Sequence, residues 1–197
     1  RMASLLSSLT PSNGIFAVGG DVVYGLPRDP ASMGGMLWLY DDSMRIDTDA
    51  GPVNILGLSR EVARHRVSGN MIRQWLSTTP SNELTIVIAH PPDFVLEIPE
   101  TPVDLCLAGH THGGQIRIPL IGPLLTLSRV PHALSSGFHE VNRTRLNVSA
   151  GIGCEHTAGL PSLRILCPPE MTLIELVPES PARSSRVLTT DNGKGRT

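Results

Sequence analysis

Four residues that could bind a metal ion follow apolar, strand-like runs in this sequence. They are Asp21, His90, His110 and His112. Carboxylate oxygens and imidazole nitrogens are common ligands of Zn, Fe, Mn and Ni. In open α/β sheets, functional sites form where loops leave the carboxyl ends of strands. The pattern therefore predicts that these side chains converge on one point at an edge of a sheet.

The segment Gly109-His110-Thr111-His112-Gly113-Gly114-Gln115 is the strongest of these signals. Two histidines separated by one residue in extended backbone can both face a metal cluster, and the flanking glycines allow a tight turn. An isolated His-x-His is more often a pair of surface histidines. Its place directly after an apolar run, with His90 at the end of another, favours a metal site. A zinc centre with three histidine ligands, His90, His110 and His112, has a suitable ligand count and remains an alternative.

Short runs rich in β-branched residues, bounded by Gly, Pro or Asn, predict the strands of the domain. They are Gly14–Val18, Met36–Tyr40, Val53–Leu58, Leu84–Ala89, Val103–Ala108, Arg145–Ser149 and Met171–Val177. Ser43–Thr48 is expected to return as a hairpin from Leu39. One helix is predicted over Arg60–Leu76, with Gly69 as its weak point, and a short helix over Ala3–Leu9. Many strands and few helices favour a mixed α/β sheet system.

Composition sets the broad class of the protein. The chain has 197 residues, of which 40% are hydrophobic, enough for one domain, predicted over residues 1–177. Residues 178–197 are rich in Pro, Ser, Arg, Thr and Gly and are predicted to form a disordered tail. A net charge of -2 gives no basic footprint for nucleic acid. No apolar run is long enough to predict a membrane span in this chain.

The histidine motifs carry a resemblance to a known family. Gly109–Gln115, together with Ala89-His90-Pro91-Pro92-Asp93, resembles the closing motifs of the calcineurin-like metallophosphoesterases, in particular a bacterial branch of small phosphohydrolases. The resemblance covers roughly Leu9 to Val177. It implies a metal-dependent hydrolase that cleaves phosphate mono- or diesters through a dinuclear metal centre. The implied fold is a two-sheet sandwich flanked by helices, of which this chain resembles the carboxyl-terminal part.

The resemblance also implies a role for each candidate residue. His90 and His110 resemble ligands of one metal ion and His112 a ligand of the other, while Asp21 takes the place of an Asn ligand. The family site holds two divalent ions, Mn, Fe, Zn or Ni, and its substrate is a phosphate ester. Val22 takes the place of a catalytic histidine, which leaves the catalytic residue unassigned.

Two early family motifs, Asp-x-His and Gly-Asp-x-x-Asp, do not occur at an appropriate place in the sequence. We therefore expect that the chain begins after them, that the first strands of the family fold are missing, and that this chain alone has little activity. A degenerate, non-catalytic family member that binds metal or a phosphate ligand is the alternative. The expected location is cytoplasmic or peripheral to the membrane, and a targeting segment upstream of Arg1 remains open.

Overall fold

The computed structural model describes residues 8–21, 35–98, 100, 102–154 and 163–177. The strands are β1 (Ile15–Ala17), β2 (Met36–Trp38), β3 (Asp42–Thr48), β4 (Gly51–Leu58), β5 (Leu84–Ala89), β6 (Leu105–Ala108), β7 (Arg117–Ile118), β8 (Gly122–Pro123), β9 (Gly137–Val141) and β10 (Thr144–Val148). The helices are α1 (Arg60–Ala63) and α2 (Val67–Thr78), with short 3-10 turns at Pro92–Glu97, His112–Gly114 and His132–Leu134.

A six-stranded mixed sheet, ordered β3-β4-β5-β6-β10-β9, forms the centre of the described structure. Strands β4, β5, β6 and β10 run parallel, whereas the edge strands β3 and β9 pair antiparallel. The parallel strands end at the same edge, as parallel strands must, and both candidate histidine loops leave from that edge. The expected mixed α/β sheet is confirmed.

Each face of this sheet is buried by a different layer, because side chains of a strand alternate between faces. On one face, Leu56, Val87 and Leu146 pack with Ile72 of α2 and with Phe94. The opposite face carries a second apolar cluster. Its buried members are Leu39, Val53, Ile55, Ile86 and Leu105, with Phe16 and Val18 of the β1 region packed against them.

The parallel pair β1–β2 is fitted closely onto that second face. A Cβ added to Gly57 would lie only 2.2 Å from the Cβ of Leu39 and 3.2 Å from Cγ1 of Val18. Leu39 N–H in turn donates to Ala17 O at 2.9 Å. Because Gly57 has no side chain, the β1–β2 pair can pack directly against the six-stranded sheet. The chain that leaves β1 then runs along this sheet to Asp21.

The prediction of one continuous helix over Arg60–Leu76 is wrong. The structure breaks it into α1 and α2 between Ala63 and Val67, and not at Gly69. Gly69 lies inside α2, where an added Cβ would be 2.5 Å from Glu97 O. Close packing against the 3-10 turn, which only a glycine permits, outweighs its low helix propensity.

Two strand predictions also need correction. The segment Ser43–Thr48 pairs with β4 and not with Leu39 as a hairpin. Residues 171–177 form no strand. Their apolar residues are largely exposed, with Leu173 at 97%, and Ile174 is the one that packs against the sheet. Strands β7, β8 and β9 match no predicted run, whereas the other predicted runs overlap observed strands.

Three predictions fall wholly or largely outside the described residues: most of the helix Ala3–Leu9, the replacement at Val22 and the tail 178–197. In the part of the chain that the structure describes, no helix has the length and apolar character to cross a membrane.

Candidate metal centre

The loops that carry His90 and His110 are tied together where β5 and β6 end. Gly109 N–H donates to His90 O at 2.9 Å, which continues the sheet ladder beyond both strands. Each histidine therefore follows a neighbouring parallel strand at the same edge of the sheet. This is the arrangement that the strand-terminal positions predict.

The backbone of the His-Thr-His segment turns sharply. His110 and His112 both have positive φ angles, 66° and 50°, which non-glycine residues adopt mainly in special positions. Thr111 holds the turn, since its hydroxyl donates to Ser135 O at 2.5 Å and accepts from Gly113 N–H at 3.3 Å. The turn buries His110, which is 7% exposed.

Asp21 reaches the two histidines from the layer formed by β1 and β2. A Cβ added to Gly20 would lie 3.0 Å from Cε1 and Nδ1 of His90, so the absence of a side chain there permits the approach. The Asp21 Oδ2 atom then lies 2.6 Å from His110 Nδ1 and 3.1 Å from His90 Nε2. The two ring nitrogens are 3.3 Å apart.

We call Asp21, His90 and His110 the triad, and its geometry and donor chemistry fit a divalent cation. With metal–ligand distances of about 2.0–2.2 Å, two neighbouring ligand atoms lie about 3–3.5 Å apart. Two of the three separations in the triad fall in this range, and the third is slightly shorter. One carboxylate with two imidazoles is also a ligand set that Zn, Fe and Mn accept.

The protonation states of the triad suit a cation as well. Burial raises the pKa of Asp21, but the hydrogen bond from Arg60 and the charges of His110 and His90 outweigh it and lower that pKa to about 2. Burial, helped by the charge of His110, lowers the pKa of His90. Near neutral pH the carboxylate is ionised and the His90 imidazole is neutral, which are the forms that bind metal.

Two arginines that the sequence analysis did not select face the triad. Arg60 Nε donates to Asp21 Oδ1, and Arg64 NH2 donates to His110 Nε2 at 2.7 Å. Both belong to the segment that follows β4, so they leave the sheet at the same edge as the histidines. The signal that could have found them is the position of their segment, which leaves the end of a parallel strand at that edge.

Several bacterial proteins are similar to the chain. The uncharacterized metallophosphoesterase YkuE of Bacillus subtilis is 37% identical over 101 residues, covering 51% of this chain. The uncharacterized metallophosphoesterase YkoQ of the same organism is 27% identical over 180 residues, covering 87%. The phosphodiesterase YaeI of Escherichia coli is 37% identical over 93 residues, covering 47%. These relatives support a bacterial metallophosphoesterase family for the chain.

The similarity covers only part of each related metallophosphoesterase. The matched segments span 34% of YkuE, 63% of YkoQ and 32% of YaeI. No protein-family model matches the chain, and no solved structure matches it either. The similarity to metallophosphoesterases therefore rests on these relatives.

The structure brings together three of the four candidate ligands. His112 is not a member of the triad. Its Nδ1 atom lies 3.5 Å from Arg164 NH2, and its Cε1 atom lies near Gly153. Glu155 and His156, which the sequence places in a neighbouring glycine-rich loop, and Val22 lie outside the described residues.

Two further arginines near the histidine loops, Arg129 and Arg164, have structural partners. Arg129 donates through Nε to Asp93 Oδ1 at 3.2 Å and lies 3.7 Å from Glu97. Arg164 donates to backbone carbonyl oxygens. Cys106 of β6 is fully buried in the core.

Proposed function

We propose that the chain is a metal-dependent phosphoesterase that hydrolyses phosphate mono- or diesters, with a divalent ion held by Asp21, His90 and His110. One observation carries this proposal: ligand atoms from three separate parts of the chain converge within 4.8 Å of one another. They meet at the carboxyl edge of parallel strands, the usual place for a site in an α/β sheet.

A divalent ion bound there would polarise a phosphoryl oxygen and lower the pKa of water. In the hydrolysis, a water oxygen forms the new bond to phosphorus, the ester P–O bond breaks, and the leaving alcohol oxygen takes a proton. The chain contributes an ionised Asp21 and a neutral His90 on a rigid frame. Thr111 and Gly109 hold the loop that carries His110.

The finer features of the family site extend this proposal. In a dinuclear centre, His112 would be a ligand of the second ion. In a two-sheet sandwich, the β1–β2 pair would belong to the sheet that covers the second face of the six-stranded sheet. The packing of Phe16, Val18 and Leu39 on that face supports this arrangement.

The substrate class proposed is a phosphate ester, with diesters to be tested first. The relative YaeI of Escherichia coli is named a phosphodiesterase. Nitrophenyl esters are suitable probes, because a nitrophenolate leaves without needing a proton from the protein.

The test compares His110→Ala with His65→Ala, a matched control at an exposed histidine. Binding of Mn²⁺ is measured by calorimetry, and hydrolysis of bis(nitrophenyl) phosphate and nitrophenyl phosphate is followed with Mn²⁺ present. We expect His110→Ala to lose both ion binding and any Mn²⁺-dependent hydrolysis, and His65→Ala to keep both. Full Mn²⁺-dependent hydrolysis by His110→Ala would show that the site is assigned wrongly.

A non-catalytic family member is a second candidate, and one observation favours it. The guanidinium of Arg60 already neutralises Asp21, so the triad can persist as an ion pair. This candidate predicts phosphate or metal binding without turnover of either ester. Hydrolysis that depends on both Mn²⁺ and His110 would exclude it.

A further inference from the structure

We propose that Arg64 is the residue that binds the phosphoryl oxygens of the substrate, and that the cleft beside it holds the alcohol part of a phosphate ester. This inference rests on the proposed function, which it deepens. The cleft has a volume of about 490 Å³. It is lined by Arg64, Asp93, Leu125, Thr126, Leu127, Ser128, Arg129 and His132.

Arg64 lies between the triad and this cleft. Its NH2 group is 2.7 Å from His110 Nε2, and the same side chain forms part of the cleft wall. A guanidinium presents donors in a planar fork that matches two phosphoryl oxygens. A phosphate held at the triad would therefore be within reach of Arg64.

The charge of Arg64 is only weakly compensated. Among the described residues, its one carboxylate neighbour is Asp21 at 3.9 Å, and Asp21 is already bonded to Arg60. The Nε atom of Arg64 is buried and has no hydrogen-bond partner among the described residues. Arg129, the other arginine of the cleft, is paired with Asp93. Arg64 is therefore the better placed of the two to bind an anion.

His110 Nε2 has two neighbours that exclude one another. Arg64 has only N–H donors, so Nε2 must accept its hydrogen bond. The carbonyl oxygen of Leu127, 3.1 Å from the same nitrogen, only accepts, so Nε2 would have to donate to it. A single ring nitrogen cannot do both in one tautomer.

This conflict links Arg64 to occupation of the triad. In the tautomer that Arg64 requires, the proton is on Nδ1, the atom that faces Asp21. With a cation at Nδ1, the proton of the neutral ring would be on Nε2, and Leu127 O would be its partner. Arg64, which already lines the cleft, would then be free to donate to an anion.

The test measures binding of inorganic phosphate to the full chain by calorimetry, first with saturating Mn²⁺. We expect Arg64→Gln to weaken phosphate binding about tenfold or more, because a charge-assisted bidentate contact is lost. Arg64→Lys should recover part of the affinity. Arg66→Gln, an equal charge change at an exposed residue of the same segment, should alter it by less than about twofold. Equal phosphate affinity in Arg64→Gln and the wild type would overturn the proposal.

A second arm needs no metal and separates this inference from the proposed function. His110→Ala removes the acceptor that holds Arg64, so this variant should bind phosphate more tightly than the wild type without Mn²⁺. Adding Arg64→Gln should remove that gain. No gain, or a gain that survives the second substitution, would overturn the role of Arg64. Absence of Mn²⁺ binding in the wild type would instead defeat the proposed function, and this metal-free arm would still decide the role of Arg64.

Discussion

His110 and His112 are separated by one residue, yet they lie in two different chemical environments. His110 faces a carboxylate, a second imidazole and the guanidinium of Arg64. Around His112, Arg164 donates to Ala150 O at 2.7 Å and to Gly151 O at 3.0 Å. The backbone of His112 also accepts from Cys167, with Sγ 3.1 Å from its carbonyl oxygen.

The difference between these two regions lies in the partners of the arginines. Near His110, Arg60 bonds to an ionised carboxylate, and a cation bound at the triad would compete with it for Asp21. Near His112, Arg164 donates to several backbone carbonyl oxygens and so joins loop segments. The Arg60–Asp21 pair is suited to exchange its guanidinium for a metal cation, whereas the contacts of Arg164 are not.

The largest expected effect separates the two histidines themselves. His110→Ala should lower the affinity for the first divalent ion by at least about 100-fold, because it removes a direct ligand of the triad. His112→Ala should lower it by less than about tenfold, because His112 lies outside the triad. Equilibrium dialysis with metal analysis measures both. Equal losses would mean that both histidines bind the same ion, as in a three-histidine zinc site.

The two arginine regions should differ in stability. Arg164→Gln leaves several carbonyl oxygens without their donor and should lower the free energy of unfolding by about 2–3 kcal/mol. Arg60→Gln removes a partly exposed ion pair and should cost less than about 1 kcal/mol. Urea unfolding followed by circular dichroism measures both. A larger loss for Arg60→Gln would show that the triad, and not the Arg164 region, stabilises this edge of the sheet.

Arg60→Gln should also strengthen ion binding while Arg164→Gln leaves it unchanged. Removal of a positive charge beside Asp21 lessens repulsion of the incoming cation, and a gain of about threefold to tenfold is expected for a partly exposed group. The cation also no longer competes with Arg60 for the Asp21 carboxylate. Calorimetric titration with Mn²⁺ measures the change, and weaker binding in Arg60→Gln would contradict this view of the site.

The last expected difference concerns the cysteines. Cys106 and Cys167 are buried, and burial raises the pKa of the Cys106 thiol, so both should react slowly with a thiol reagent. Cys154, which is only partly buried, should react at least about tenfold faster. Mass spectrometry of the alkylated native chain identifies the order. Early modification of Cys167 would show that the Arg164 region opens readily.

Much of the central sheet was predictable because its signal is local. The runs at Leu84–Ala89 and Val53–Leu58 are continuous and apolar, as strands buried on both faces must be. The break in the helix after Arg60 and the pairing of Ser43–Thr48 with β4 were not predictable in this way. Both depend on neighbours that are distant in sequence. The run at Met171–Val177 has a strand-like composition but pairs with no strand of the described structure.

For the site, the sequence by itself determined that His90 and His110 follow neighbouring apolar runs, since a strand and its first loop residue are set by a few adjacent side chains. Only the tertiary structure decided which groups meet them. Asp21 is separated from His90 by 69 residues and reaches it from another layer, through close packing at Gly57 and Gly20. The tertiary structure also places His110 and His112 in different environments, because the positive φ angles and the hydrogen bonds of Thr111 turn the chain between them. Contacts of this kind depend on three-dimensional packing, which residue spacing alone does not specify.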